Sequence, residues 1–329
     1  MTEPCTLHPI QTPAAWRGSE LARTNEWIYQ LSPIEMAAVE RLIAGLRRSG
    51  IPRERVTRDD VPLDDALIAA VRRWRETLAH GRGFVLVRGL PIENLSDDET
   101  ALAYWALGLH LGAPVPQNFE GELLTEVRDI GADPTDPSTR LYKTRAAQDF
   151  HTDGADVIGL LCLRTAKRGG ESRIVSSVTV YNEMLTQRPE LAARLFGDFY
   201  WHYFEPQMPS PTYFIRPICV ARGSGLNTFF IPWYIRRAQE LPGVPPLTSE
   251  QEAAIELVES TANDPSLYLD MEFRPGDMQF LKNSVILHKR TAYDDWEAPE
   301  RKRHLLRLWL AAPDFDDGDD QLRGGITLG

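Results

Sequence analysis

Apolar residues along this chain recur first at helical spacing and then, beyond about residue 142, in short runs of the kind that strands bury. Ser32-Pro33-Ile34-Glu35 combines a capping box with proline at the first helical position, and Val39, Leu42, Ile43 and Leu46 follow on one face as far as Gly50. A second helix is expected over residues 64–80, burying Leu67, Val71, Trp74 and Leu78, and a third from the capping box at Ser96 and Glu99 to Gly112. Between these two, Phe84-Val85-Leu86-Val87 is a continuous apolar run bounded by glycines, which reads as a buried strand.

The second part of the chain predicts strands at 157–163, 172–178, 212–220, 267–273, 277–280 and 304–310, interrupted by helical insertions at 189–196 and 248–258. Several short strands without regularly alternating helices argue for a sandwich or barrel over a doubly wound parallel sheet. The expected organisation is one structural domain: a helical segment at 1–82 packing on a β core at 83–312, then an acidic tail at 313–329. No internal repeat or low-complexity tract is present.

Composition narrows the partners. No stretch approaches the 18 or so consecutive apolar residues of a membrane span. The N-terminal residues lack the continuous apolar segment of a secretory signal, so the cytoplasm is the expected compartment. A formal net charge of −11 without a Lys/Arg run argues against nucleic acid and anionic membranes, leaving a small molecule as the default partner and a homo-oligomer open. Cys5, Cys162 and Cys219 are too few and too scattered for a disulfide framework or a cysteine zinc site. Cys162 and Cys219 read as small buried hydrophobes.

Candidate chemistry begins at Phe150-His151-Thr152-Asp153-Gly154. On a strand, His151 and Asp153 would project to one side, as two metal ligands do, although such a pair also suits a surface hydrogen bond. His288 ends the apolar stretch Ser284-Val285-Ile286-Leu287 and supplies a third ligand, or else sits satisfied in the core. Two histidines and one carboxylate form the facial triad of non-haem iron enzymes, with coordination positions left open. A 2-oxoglutarate co-substrate would also need a fixed cation for its far carboxylate, which the planar arginine fork supplies. Arg303 stands fifteen residues beyond His288, and Arg307 lies on the same face of the expected strand, as do Leu305 and Trp309. The competing reading of that strand turns its leucines inward and its arginines to water.

In order and spacing, His151-Thr152-Asp153, Gly169-Gly170-Glu171-Ser172, Gly276-Asp277 with Asn283 and His288, and then Arg303 and Arg307 resemble the taurine dioxygenase (TauD/TfdA) family of iron(II), 2-oxoglutarate-dependent oxygenases. The resemblance covers roughly residues 84–310. It implies a mainly β fold with flanking helices (α+β), a double-stranded β-helix or jelly roll of the cupin type. It further implies Fe(II) on His151, Asp153 and His288, and 2-oxoglutarate contacts from Ser172 and Arg303, with Arg307 a second co-substrate contact or a substrate anchor. Phe150, Phe204 and Trp309, with Arg307, are the expected substrate contacts. The implied reaction consumes O2 and 2-oxoglutarate, releases succinate and CO2, and hydroxylates a C–H bond of a small molecule, one with an anionic group if Arg307 anchors it. Desaturation, epoxidation or ring formation by the same chemistry are alternatives, as is a zinc-binding jelly roll with hydrolytic or non-catalytic function. A zinc hydrolase, however, has no use for a distal carboxylate clamp.

Overall fold

The computed structural model describes residues 7–118, 120–136, 139–202 and 212–315. In chain order its principal strands are β1 (Ile28–Gln30), β2 (Phe84–Arg88), β3 (Ala113–Pro114), β4 (Leu124–Val127), β5 (Gln148–His151), β6 (Val157–Arg164), β7 (Ser172–Ser176), β8 (Leu269–Met271), β9 (Met278–Lys282), β10 (Ile286–Arg290) and β11 (His304–Ala311). The larger sheet runs β1-β2-β9-β6-β11-β3, with β4 also on β11, and the smaller runs β8-β7-β10-β5. All these pairings are antiparallel except β1 with β2. The two sheets form the double-stranded β-helix, and side chains from both, such as Ile158 and Trp309 against Ile174 and Ile286, join one apolar core.

The principal helices are α1 (Pro33–Ser49), α2 (Asp65–Ala79), α3 (Asp97–Gly108), α4 (Ser177–Gln187), α5 (Pro189–Arg194), α6 (Pro232–Ala238) and α7 (Ser249–Ala262). Capping boxes at Ser32, Ser96 and Thr248 start α1, α3 and α7, each satisfying helix N–H groups that would otherwise lack a partner. Helices α1 to α3 cover the outer face of the larger sheet around a second apolar core. This cover explains β11: Leu306, Leu308 and Leu310 pack toward the helices while Leu305, Arg307 and Trp309 face the barrel, so residues 304–310 are all buried. The arginines are therefore not in water.

Several expected elements differ. The strand expected over 172–178 stops at Ser176, whose hydroxyl accepts the Thr179 N–H and caps α4; the β-branched run Val178-Thr179-Val180 hid this signal. The strand expected over 212–220 is two, Tyr213–Arg216 and Cys219–Arg222, in separate hairpins, because Pro217 between them cannot donate to a ladder. Helix α3 ends at Gly108 rather than Gly112, and α6 was not expected at all. The N-terminal segment is not helical throughout, since Ile28 pairs with Leu86 to add an edge strand. Residues 316–329, most of the acidic tail, lie outside the described residues. Among the described residues no helix is long and apolar enough to cross a membrane.

Gly159 on β6 lies where the fully buried Tyr104 and Phe280 converge. A Cβ there would stand 2.3 Å from the Tyr104 hydroxyl and 3.1 Å from a Phe280 ring carbon. We expect Gly159→Ala to lower stability by about 1–3 kcal/mol through overpacking. Urea denaturation reads this directly, and an unchanged midpoint would contradict the packing described.

Candidate active site

Cross-strand register assembles the centre. On β10, His288 lies opposite His151 of β5 and Ile174 of β7, and Arg290 lies opposite Gln148 and Ser172. Residues two apart on a strand share a face, so His288 and Arg290 both point into the barrel. The register with β5 shifts between them, which brings both Gln148 and His151 to the same side. Strand β5 ends at His151, so strand alternation does not bring Asp153 to the site as expected. Instead the chain bends: the Thr152 N–H donates to the Phe230 carbonyl at 2.8 Å, and the Asn283 amide grips the Asp153 backbone. Its Oδ1 accepts the Asp153 N–H at 2.9 Å and its Nδ2 donates to the Asp153 carbonyl at 2.7 Å.

His151, Asp153 and His288 offer one ligand atom each, all within 4.8 Å of one another. The His151 Nδ1–H donates to the Asp149 carbonyl at 2.7 Å, which leaves the lone pair on Nε2, 3.9 Å from Asp153 Oδ1. His288 Nε2 lies 3.4 Å from Asp153 Oδ2. Burial, and after it the neighbouring His288, push the His151 imidazole down to about 3, so it is neutral at physiological pH and ready to ligate. Burial opposes ionisation of Asp153, but Arg307 and the two imidazoles outweigh it and hold the carboxyl below the usual carboxylate range. Two imidazoles and one carboxylate fit Fe(II), and they also fit zinc.

A shell of donors fixes that carboxylate. The Trp309 indole N–H donates to Asp153 Oδ2 at 3.2 Å, and Arg307 Nη1 stands 3.5 Å from the same oxygen. Arg307 is itself held by Gln117, whose Oε1 accepts the Arg307 Nε–H at 2.7 Å and whose Nε2 donates to the Arg307 carbonyl at 2.8 Å. The Gln148 amide lies 2.9 Å from His151 Nε2, the atom a metal would need.

Beside the triad, a small cavity of about 50 Å³ is lined by Ser172, His288, Arg290, Arg303 and Arg307. Arg303 is 4% exposed; its Nη2 donates to the Gly170 carbonyl at 3.3 Å, and its Nη1 has no hydrogen-bond partner among the described residues. Gly170 has φ +76°, and a Cβ there would stand 2.9 Å from Arg303 Nε, so only glycine leaves room for the guanidinium. The Ser172 hydroxyl accepts the Gln279 amide at 3.0 Å. Burial lowers the Arg303 pKa, and burial followed by repulsion from Arg303 pushes Arg290 down to about 10. A buried cation with an unpaired edge fits a carboxylate ligand.

A larger cavity of about 340 Å³ adjoins the triad, walled by Tyr142, Phe214, Phe229, Trp233 and Trp309, with Arg140 and Arg237 also on its lining. Arg307 borders both cavities. Phe150 does not line either cavity, a correction to the expected substrate contact: it is 1% exposed, packed in the core against Tyr268. Adjacent to His151 on β5, it takes the opposite face of the strand, away from the barrel interior. Phe204 lies outside the described residues. Gln117, Gln148 and Arg290 were missed as site residues; of these, Arg290 was within reach of strand alternation, two positions after His288.

Comparison with known proteins follows the same lines. The profile of the taurine catabolism dioxygenase TauD, TfdA family matches residues 47–309. FR-33289 synthase of Streptomyces rubellomurinus (strain ATCC 31215) is 30% identical over 309 residues, spanning 92% of this chain and 90% of that protein. Taurine hydroxylase-like protein SAT17 of Stachybotrys chartarum is 28% identical over 308 residues, or 89% and 77% of the two chains. In fold, the chain is similar to asparagine oxygenase solved with Fe(II), 2S,3S-3-hydroxyasparagine and succinate. That likeness has a TM-score of 0.68 and covers 87% of this chain and 94% of the other at 16% identity, a level that speaks for the fold alone.

Trp309→Phe keeps the ring and removes the N–H that holds Asp153. We expect it to weaken divalent metal binding about 10–100-fold, the usual effect of losing such an outer hydrogen bond. Co(II) titration followed by its visible absorption measures this, with the thermal midpoint as the folding control. Equal affinity would show that Asp153 needs no such donor.

Proposed function

We propose that this chain, which belongs to the taurine catabolism dioxygenase TauD, TfdA family, binds Fe(II) through His151, Asp153 and His288 and hydroxylates a small molecule held in the adjoining aromatic-walled cavity. It is an iron(II), 2-oxoglutarate-dependent oxygenase. The observation that carries the residue assignment is the Arg303 guanidinium, buried with no hydrogen-bond partner for its Nη1 among the described residues, in one cavity with Ser172 and His288. A zinc hydrolase would have no need of that group.

Iron held by His151, Asp153 and His288 would activate O2, the oxidant, one oxygen atom going to succinate as 2-oxoglutarate loses CO2 and the other into a substrate C–H bond. The chain's own residues do the rest. Arg303 and the Ser172 hydroxyl take the distal carboxylate of 2-oxoglutarate, a charge-assisted contact strengthened by burial. His151 presents Nε2 because its other nitrogen is committed to Asp149, and the Gln148 amide, 2.9 Å from Nε2, would give up that lone pair when a metal is held there. Trp309 and Arg307 hold the carboxylate of Asp153 in place. Trp233, Phe229 and Phe214 exclude water from the substrate side, where an unquenched oxidant would otherwise react unproductively.

Arg307, on the wall of the larger cavity, suits a substrate that carries an anionic group on an otherwise apolar body. The cytoplasm, which supplies both 2-oxoglutarate and ferrous iron, is the compartment this reading calls for. Anaerobic addition of Fe(II) and 2-oxoglutarate should produce the weak visible charge-transfer absorption of the chelate, and Asp153→Ala should abolish it. A protein that shows no such band, or a variant that keeps it, would contradict the assignment.

A further inference from the structure

Arg290 is 8% exposed and faces two ways. Its Nη2 donates to the carbonyls of Leu141, at 3.1 Å, and Ala146. Its Nε and Nη1 are buried and have no hydrogen-bond partner among the described residues. Arg290 also lines the small cavity, where it lies opposite Ser172 in the sheet and one inward-facing position beyond His288. It therefore stands toward the end of the cavity that Ser172 and Arg303 occupy. Arg290, Arg303 and Arg307 line this cavity, and the carboxylate on its lining, Asp153, belongs to the metal triad.

The other edge of Arg290 ties together both ends of the segment 141–146, and that segment shapes the substrate side. Leu141 and Tyr142 line the larger cavity, and Tyr142 borders the small one as well. The Arg307 guanidinium stacks over the Tyr142 ring at 4.9 Å. One planar group thus touches the co-substrate cavity on one side and supports a wall of the substrate cavity on the other. Lysine cannot replace it, since an ammonium lacks the rigid fork that serves both sides at once.

We propose that Arg290 shares the distal carboxylate of 2-oxoglutarate with Arg303 and Ser172, and that this contact locks segment 141–146, so that a bound co-substrate sets the wall of the substrate cavity. The inference rests on the function proposed above. Coupling of this kind is reciprocal: 2-oxoglutarate tightens substrate binding by the same factor that substrate tightens 2-oxoglutarate binding.

The test is amide hydrogen exchange of peptides spanning 141–147 in the full-length, Co(II)-loaded protein, with ligand occupancy established by calorimetry. Saturating 2-oxoglutarate should slow exchange about tenfold, within the ordinary range of coupling between sites. Saturating 2-oxobutyrate, which keeps the chelating end and lacks the distal carboxylate, should leave exchange unchanged. In Arg290→Lys, 2-oxoglutarate should bind without protecting the segment. Because the two keto acids are compared in the unmutated protein, the test stands even if the variant fails to fold. Binding of 2-oxoglutarate without protection, or equal protection by both keto acids, would overturn the coupling while leaving the proposed function intact. No binding of 2-oxoglutarate at all would overturn both.

Discussion

Burying a guanidinium group with an edge unpaired costs several kcal/mol, and a fold carries such a group only where something later satisfies it. Among the described residues, the interior of this barrel holds Arg290 and Arg303 in that condition, next to a carboxylate already surrounded by imidazoles, an indole N–H and Arg307. The rest of the arrangement depends on this imbalance. A dicarboxylate brings the missing negative charge, and a divalent cation balances Asp153. The site is built for both together.

The double-stranded β-helix makes this arrangement affordable in ordinary terms. Its larger sheet is covered by α1 to α3, so β11 can bury both of its faces and aim Arg307 and Trp309 inward without exposing Leu306 or Leu308. Its smaller sheet aligns His288 with His151, and Arg290 with Ser172, through nothing more than antiparallel register. Ligands from β5 and β10, the Ser172 hydroxyl from β7 and Arg303 from just before β11 then line one cavity, although they come from positions as far apart as His151 and Arg303.

What could be read in the sequence was local. Capping boxes at Ser32, Ser96 and Thr248 marked helices because a cap acts within three residues of itself. The alternation around Arg303 and Arg307 showed that both could share a face, but could not show that the opposite face also lies under helices. Long-range contacts were beyond reach. Gln117 holds Arg307 across 190 positions, and Asn283 bends the chain at Asp153 across 130. No pattern near either glutamine or asparagine signals this. Phe150 was misplaced although the signal was local: it is adjacent to His151 on β5, so alternation sends its ring to the opposite face, into the core. Arg290 was local in the same way, since its spacing from His288 carried the information.

The central claim is that a buried arginine clamp makes this metal site specific for a dicarboxylate co-substrate, and the most direct measurement is the affinity of Arg303→Ala for 2-oxoglutarate, by calorimetry on the Co(II)-loaded protein under conditions where its thermal midpoint shows it folded. Removing one partner of a buried, hydrogen-bonded charge pair weakens binding by about a hundredfold or more. The account predicts a loss of that size with Co(II) affinity unchanged; 2-oxoglutarate binding as tight as in the unmodified protein would contradict it.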